Sequence, residues 1–258
     1  MPLWAIMLFI ISFIFSLTML ARPAKQAALD AGMTAGKSRT IQYGIIFFYL
    51  LWLTYASILA LKGSLYQNTL PPKAIILLTL PLLLILFTII ANTQLYKKLL
   101  RSATLESLVA LHKFRILGVF FLLLYFYHLL DAAFALSAGL GDIITAIFAI
   151  PVARAVAQKK PWSRKAAIAR NIFGILDIVS LLTIALFGAI KAAATGQSGG
   201  EMTAFPFVWF PAFAPATILF LHFAIFRKLQ QSPQPADTRT SKSNTPNSAI
   251  SPKSLTTN

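Results

Sequence analysis

Cysteine is absent from the 258 residues, which excludes disulfides, iron–sulfur clusters and thiol catalysis. Acidic residues are scarce: seven Asp and Glu stand against 23 Lys and Arg, giving a net charge of +16. Only three His are present, so a histidine-based metal or haem site has few ligands to draw on. No charged side chain precedes the first apolar stretch, unlike the basic start of a signal peptide. That stretch reads as an uncleaved helix. There is no internal repeat with a period of about 20–50 residues and no inverted pair of halves, which points to one membrane domain.

What is present is apolar. Fifty-seven percent of residues are hydrophobic and 12% are charged, with a mean hydropathy of +0.73. A water-soluble domain of this length cannot hide so much apolar surface, so the bilayer is the expected solvent and partner. Seven stretches, at 3–21, 41–61, 73–92, 114–135, 142–157, 170–190 and 204–226, approach the length needed to cross it as helices. The fourth extends as a helix back to about Leu105. The fold class is therefore all-α, a polytopic transmembrane bundle over residues 1–229. Residues 230–258, rich in Ser, Thr, Pro and Asn, read as a disordered polar tail.

Basic residues are segregated. Of the 23, only Lys62, Lys73 and Lys191 fall on one side of the spans. The bias predicts an N-terminus outside and a C-terminus inside, in the cytoplasm. Segregation accounts for the charge without nucleic acid, and anionic lipid headgroups are the expected partners of the basic loops. The oligomeric state is not legible.

Ionisable groups inside spans are costly and direct attention to function. An inner group comprises Asp177, on a stripe with Arg170, Gly174 and Ser180, and its candidate partners Arg115, Arg154 and His222. It reads as either a helix-fixing Asp–Arg pair or a solute or proton site. An outer group comprises His128 and Asp131, three residues apart on the fourth helix, and Asp142 after a short turn. Asp142 is expected to cap the fifth helix. A metal held by this group is the sharper alternative. Pro81 in the third helix and Pro206, Pro211 and Pro215 in the seventh should break regular helix and free backbone groups to line a cavity or find new partners. His112 and His222 could lie at one depth and flank a b-type haem, but no cofactor is otherwise implied. The seventh helix has no interior Lys for a retinal Schiff base.

Gly139-Leu140-Gly141-Asp142 resembles the GxGD signature of intramembrane aspartyl proteases, and Pro-Ala-Phe-Ala-Pro at 211–215 resembles their proline motif. That likeness implies Asp131 and Asp142 as a catalytic pair. The sequence departs from the pattern because Tyr127 and Asp131 are not adjacent, and the charge bias puts both Asp at the extracytoplasmic end. A broader resemblance is to an uncharacterised family of bacterial multi-span membrane proteins. It rests on Phe114-Arg115, Gly118, Phe134-Ala135, Ala138 to Asp142, Asn171-Ile-Phe-Gly-Ile-Leu-Asp177, the 205–215 proline run and His222. Departures occur at His128, where the family is expected to have Gly, and at Asp131, where Pro is expected. The resemblance implies a bacterial cytoplasmic membrane and favours Arg115, Asp142, Asp177 and His222 as site residues. It carries no activity. The residues favour a non-enzymatic small-solute or ion pathway, with the protease as the alternative.

Overall fold

The computed structural model describes residues 1–66, 69–195 and 200–231, and every regular element among them is helical. Leu3–Asp30 (α1) and Ala35–Leu61 (α2) are long and continuous. The third span, Ile75–Asn92, is broken: α3 (Leu80–Leu84) has a π-helical turn on each side, Ile75–Thr79 and Ile85–Ile89. Pro81 denies Leu77 its usual N–H donor, and the ladder widens so that Leu80 N–H reaches Ile75. A short helix, α4 (Gln94–Ser102), follows.

The fourth span joins α5 (Leu105–Leu111), a 3₁₀ run over His112–Gly118, and α6 (Val119–Phe126). Ala132–Ala157 (α7), Ser163–Thr195 (α8) and Trp209–Gln231 (α9) follow. The protein is an all-α bundle, and among the described residues seven helical stretches are long and apolar enough to span a membrane. Its exterior suits lipid rather than water. Ile11, Phe15, Phe47, Leu51, Leu176 and Phe187 all project outward.

α9 is the most buried span and α8 the least. Phe9 and Phe13 of α1 interlock with the start of α9, with ring centroids 5.2 Å apart for both Phe9–Phe210 and Phe13–Phe213. Lipid gives apolar surfaces no drive to associate, so such packing and interhelical hydrogen bonds hold the bundle. The bonds concentrate where prolines disturb α9. Pro215 has no N–H for the carbonyl of Pro211, and Thr79 Oγ1 donates to that carbonyl at 2.8 Å. Trp52 Nε1 donates to the carbonyl of Ala212 at 2.9 Å, and Trp209 Nε1 to Ser57 Oγ at 2.9 Å.

Several boundaries differ from those expected. The fourth helix stops at Phe126 rather than 135, and the next begins at Ala132 rather than 142. The break carries no glycine. His128 supplies the left-handed residue (φ 55°), with Leu129 N–H bonded to Leu124 O at 3.0 Å and His128 N–H to Tyr125 O at 2.9 Å. This is the closure glycine normally makes at a helix end. α4 falls where a plain loop was expected. Thr93 caps it by accepting from Tyr96 N–H, and burial pushes the Tyr96 phenol up to about 12. α9 runs two residues past the expected boundary at 229. The rest of the expected tail, from Ser232 on, lies outside the described residues.

Candidate functional site

The 3₁₀ run in the fourth span sets the site. In that geometry residues three apart eclipse one another, so His112, Arg115 and Gly118 form one line along the helix. Arg115, 1% exposed, donates from Nε to Asp142 Oδ1 of α7 at 2.6 Å. Its Nη2 pairs with Asp177 Oδ2 of α8, and its Nη1 reaches the carbonyl of Gly174 at 3.5 Å. One guanidinium fork thus holds two carboxylates from two other helices, a use for which arginine suits better than lysine. The formal charge of this triad is −1.

Glycines make the approach possible. A Cβ on Gly118 would collide with Asp142, one on Gly141 with Asp177, and one on Gly174 with the ring of His222. The Gly-Leu-Gly-Asp stretch is therefore a close-packing face in the middle of α7. Gly139 lies against Leu122 and the carbonyl of Gly118, Gly141 against Asp177, and Asp142 in the ion triad.

Deeper along the same helices lies a second polar layer. Asn171 Nδ2 donates to the carbonyl of His222 at 3.1 Å, which turns its Oδ1 toward His222 Nδ1 at 2.7 Å. Nδ1 then carries the proton and Nε2 is left as an acceptor. His112 stacks on His222 with ring centroids 4.3 Å apart. Arg170 Nη2 donates to the carbonyl of Thr145 at 3.1 Å. Both ring nitrogens of His112, His222 Nε2, Thr145 Oγ1 and Arg170 Nε and Nη1 are buried without a hydrogen-bond partner among the described residues.

Above the triad is a cavity of about 700 Å³. Its wall on α8 runs from Ile178 to Ala192, about 21 Å of helix. Lys73, Asp131, Lys191 and Glu201 line it near helix ends, and Asp142 lines it beside the triad. Pro211 and Pro215 of α9 and Thr79 of the third span form part of the wall. The expected break of the seventh helix does not occur: Pro206 precedes α9, Pro211 lies in its first turn, and the helix runs on through Pro215. Pro211 and Pro215 face the cavity, and the carbonyl freed by Pro215 finds a partner in Thr79.

The sequence-derived groups are redistributed. Arg115, Asp177 and His222 lie together, and Asp142 belongs with them. Asp142 is not a cap: Asp131 caps α7, accepting from Ala133 N–H at 2.8 Å and Phe134 N–H at 3.4 Å. About 16 Å of helix separates Asp131 from Asp142, so the outer group of His128, Asp131 and Asp142 does not assemble. His128 and Asp131 are exposed in the turn. Arg154 is also exposed and stands apart from the buried cluster. Among the described residues no three His, Asp or Glu side chains gather as a metal site requires. A haem cannot pass between rings stacked as closely as His112 and His222. Sequence reasoning left out Thr145, gave Asn171 no role beyond the family resemblance, and gave Arg170 only a place on a stripe. The spacing of Arg170, Asn171, Gly174 and Asp177 on α8 was the signal for the first two; Thr145, on α7, had none.

The region that holds all of these groups, residues 71–230, matches the model of a domain of unknown function, DUF8737. The chain belongs to the DUF8737 family. No curated protein and no solved structure matches it. The DUF8737 region contains the cavity base, the triad and the second polar layer, and it leaves out α1 and α2.

Proposed function

We propose that the protein is a membrane pathway for a small solute or ion. In this reading the cavity is the vestibule and the Asp142–Arg115–Asp177 triad is the site the solute meets. The observation that carries it is that a cavity about 700 Å³ in volume is lined by a buried carboxyl group, that of Asp142, paired with Arg115. The second polar layer supports it. From Ala192 to Arg170, cavity and polar layer together follow about 33 Å of α8, comparable with the roughly 30 Å of a hydrocarbon core. The unpartnered atoms of His112, Thr145, Arg170 and His222 offer donors and acceptors along the second part of that route.

The basic ends of the helices support an orientation. The clustering of Arg22, Lys25, Lys97, Lys98, Lys159 and Lys160 favours a reading in which they face the cytoplasm of a bacterial cell, against anionic headgroups, with the N-terminus and the cavity mouth outside. The aspartyl-protease alternative lacks comparable support. Its chemistry needs two carboxylates sharing one proton, but Arg115 stands between Asp142 and Asp177, and Asp131 caps a helix in the exposed turn.

Because the chain has no Cys, single cysteines report accessibility without background. Ala214→Cys, on the cavity wall, should react with a small ammonium thiosulfonate applied from outside. Thr145→Cys, in the second polar layer, should react with the same reagent from the cytoplasmic face. An inert Thr145→Cys from both faces, in folded protein, would show that the route is closed and the cavity a blind pocket.

A further inference from the structure

We infer that the cavity takes a lipophilic organic cation: an alkylated or aryl-substituted ammonium or phosphonium whose charge is spread and whose body is apolar. The inference rests on the reading of the cavity as a solute site and names the class of solute. Three observations converge on it. The base carries two carboxylates and one guanidinium, and of the triad it is Asp142 that faces the cavity. The formal charge of the triad is −1, which favours a cation beside Asp142; the next buried cation, Arg170, lies about 10 Å farther along α8 from Asp177, on the side away from the cavity. The two Lys that line the cavity near helix ends are balanced in number by Asp131 and Glu201, so that end has no net sign of its own.

The walls supply the second argument. Phe121, Phe134, Phe187 and Phe210 line the cavity, among aliphatic residues such as Ile178 and Leu181. Aromatic faces attract a cation, and the attraction strengthens when water is excluded. A small hydrated cation entering between such walls gives up water that they cannot replace. A cation shielded by alkyl or aryl groups loses much less, and its apolar body gains contact along the length of the cavity. A volume of about 700 Å³ lies within the roughly 300–1,000 Å³ range of drug-sized ligand pockets.

The third concerns access. Phe187 both lines the cavity and is 66% exposed, beside the outward-facing Leu186 and Ile190 of α8. The cavity wall thus borders the outward-facing side of α8 at Phe187, between Leu186 and Ile190, which are exposed and do not line the cavity. A lipophilic cation concentrates at the membrane and can enter by that side. A strongly hydrated solute has only the polar mouth.

The test uses two ions of nearly equal shape and opposite charge on the full-length protein in detergent. Equilibrium dialysis with tetraphenylphosphonium should show a saturable component, and tetraphenylborate none. Ala185→Trp, which fills the cavity from α8 without touching the triad, should abolish that component. Asp142→Asn should weaken it at least about tenfold, the scale of one lost charge contact. Saturable binding of the borate equal to or tighter than the phosphonium would overturn the inference, and so would saturable phosphonium binding unaffected by Ala185→Trp. Absence of saturable binding for both ions also overturns it. In that case a reactive Thr145→Cys would leave the pathway reading standing, and an inert one would remove both.

Discussion

Arg115 is the residue on which most depends. A guanidinium inside a bilayer is costly unless its charge is answered, and here two carboxylates from different helices answer it. Removing the arginine leaves both carboxylates facing each other without a cation. Arg115→Met should therefore cost about 3–5 kcal/mol, the range for breaking a buried ion pair from one side. Asp142→Asn leaves Asp177 to balance the arginine and should cost distinctly less. Thermal unfolding in detergent of the two variants against the parent checks the order, and the reverse order would remove Arg115 from its central place. His128 sets a smaller problem at the same scale. It adopts φ 55°, a left-handed conformation that costs a residue with a Cβ about 1–2 kcal/mol. The same helix-end closure recurs at Gly32 (φ 76°) and Gly63 (φ 67°) with glycine in place. His128→Gly should raise the unfolding temperature, and a fall would mean that the imidazole makes a contact worth more than the strain.

At the scale of elements, the positions of the glycines decide how closely α7 approaches its neighbours. A methyl at Gly141 lands on the Asp177 carboxylate, whereas one at Gly188 meets nothing within 4 Å. Gly141→Ala should destabilise by about 1–3 kcal/mol through overpacking. Gly188→Ala should be neutral or stabilising, by up to about 1 kcal/mol from helix propensity. Equal effects in a thermal-shift assay would contradict the packing of α7 against α8. These glycines also mark the limit of what the sequence reveals. The apolar runs announce the spans because their length and composition are dictated by the bilayer. Gly-Leu-Gly-Asp reads locally as turn and cap, since the same residues serve in turns. Only the neighbouring helices show that the glycines make room and that Asp142 is an ion partner. The true break, at Tyr127 to Asp131, has neither glycine nor proline to betray it. α4 escaped notice because its Lys and Arg were read only as a loop charge signal. Arg115, Asp177 and His222 were legible because a charge or a His inside an apolar run needs an explanation whatever the packing.

At the scale of the whole molecule, a cavity and a polar layer meet at the triad. α7 and α8 supply the two carboxylates, the fourth span supplies the cation, and α9 closes the wall with its proline-disturbed first turns. The third span contributes Thr79, which both ties α9 in place and faces the cavity. The central claim is that cavity and triad form one site with a negative base. Ala214 lines the cavity close to Asp142, so a cysteine there samples the potential at that base. The decisive measurement is the rate of modification of Ala214→Cys in detergent by a cationic and an anionic thiosulfonate, each normalised to its rate with a free thiol. The account predicts a cation preference of about tenfold or more, as a single charge interaction would give, and its loss when Asp142→Asn is added. Equal normalised rates, or a preference unchanged by Asp142→Asn, would contradict it.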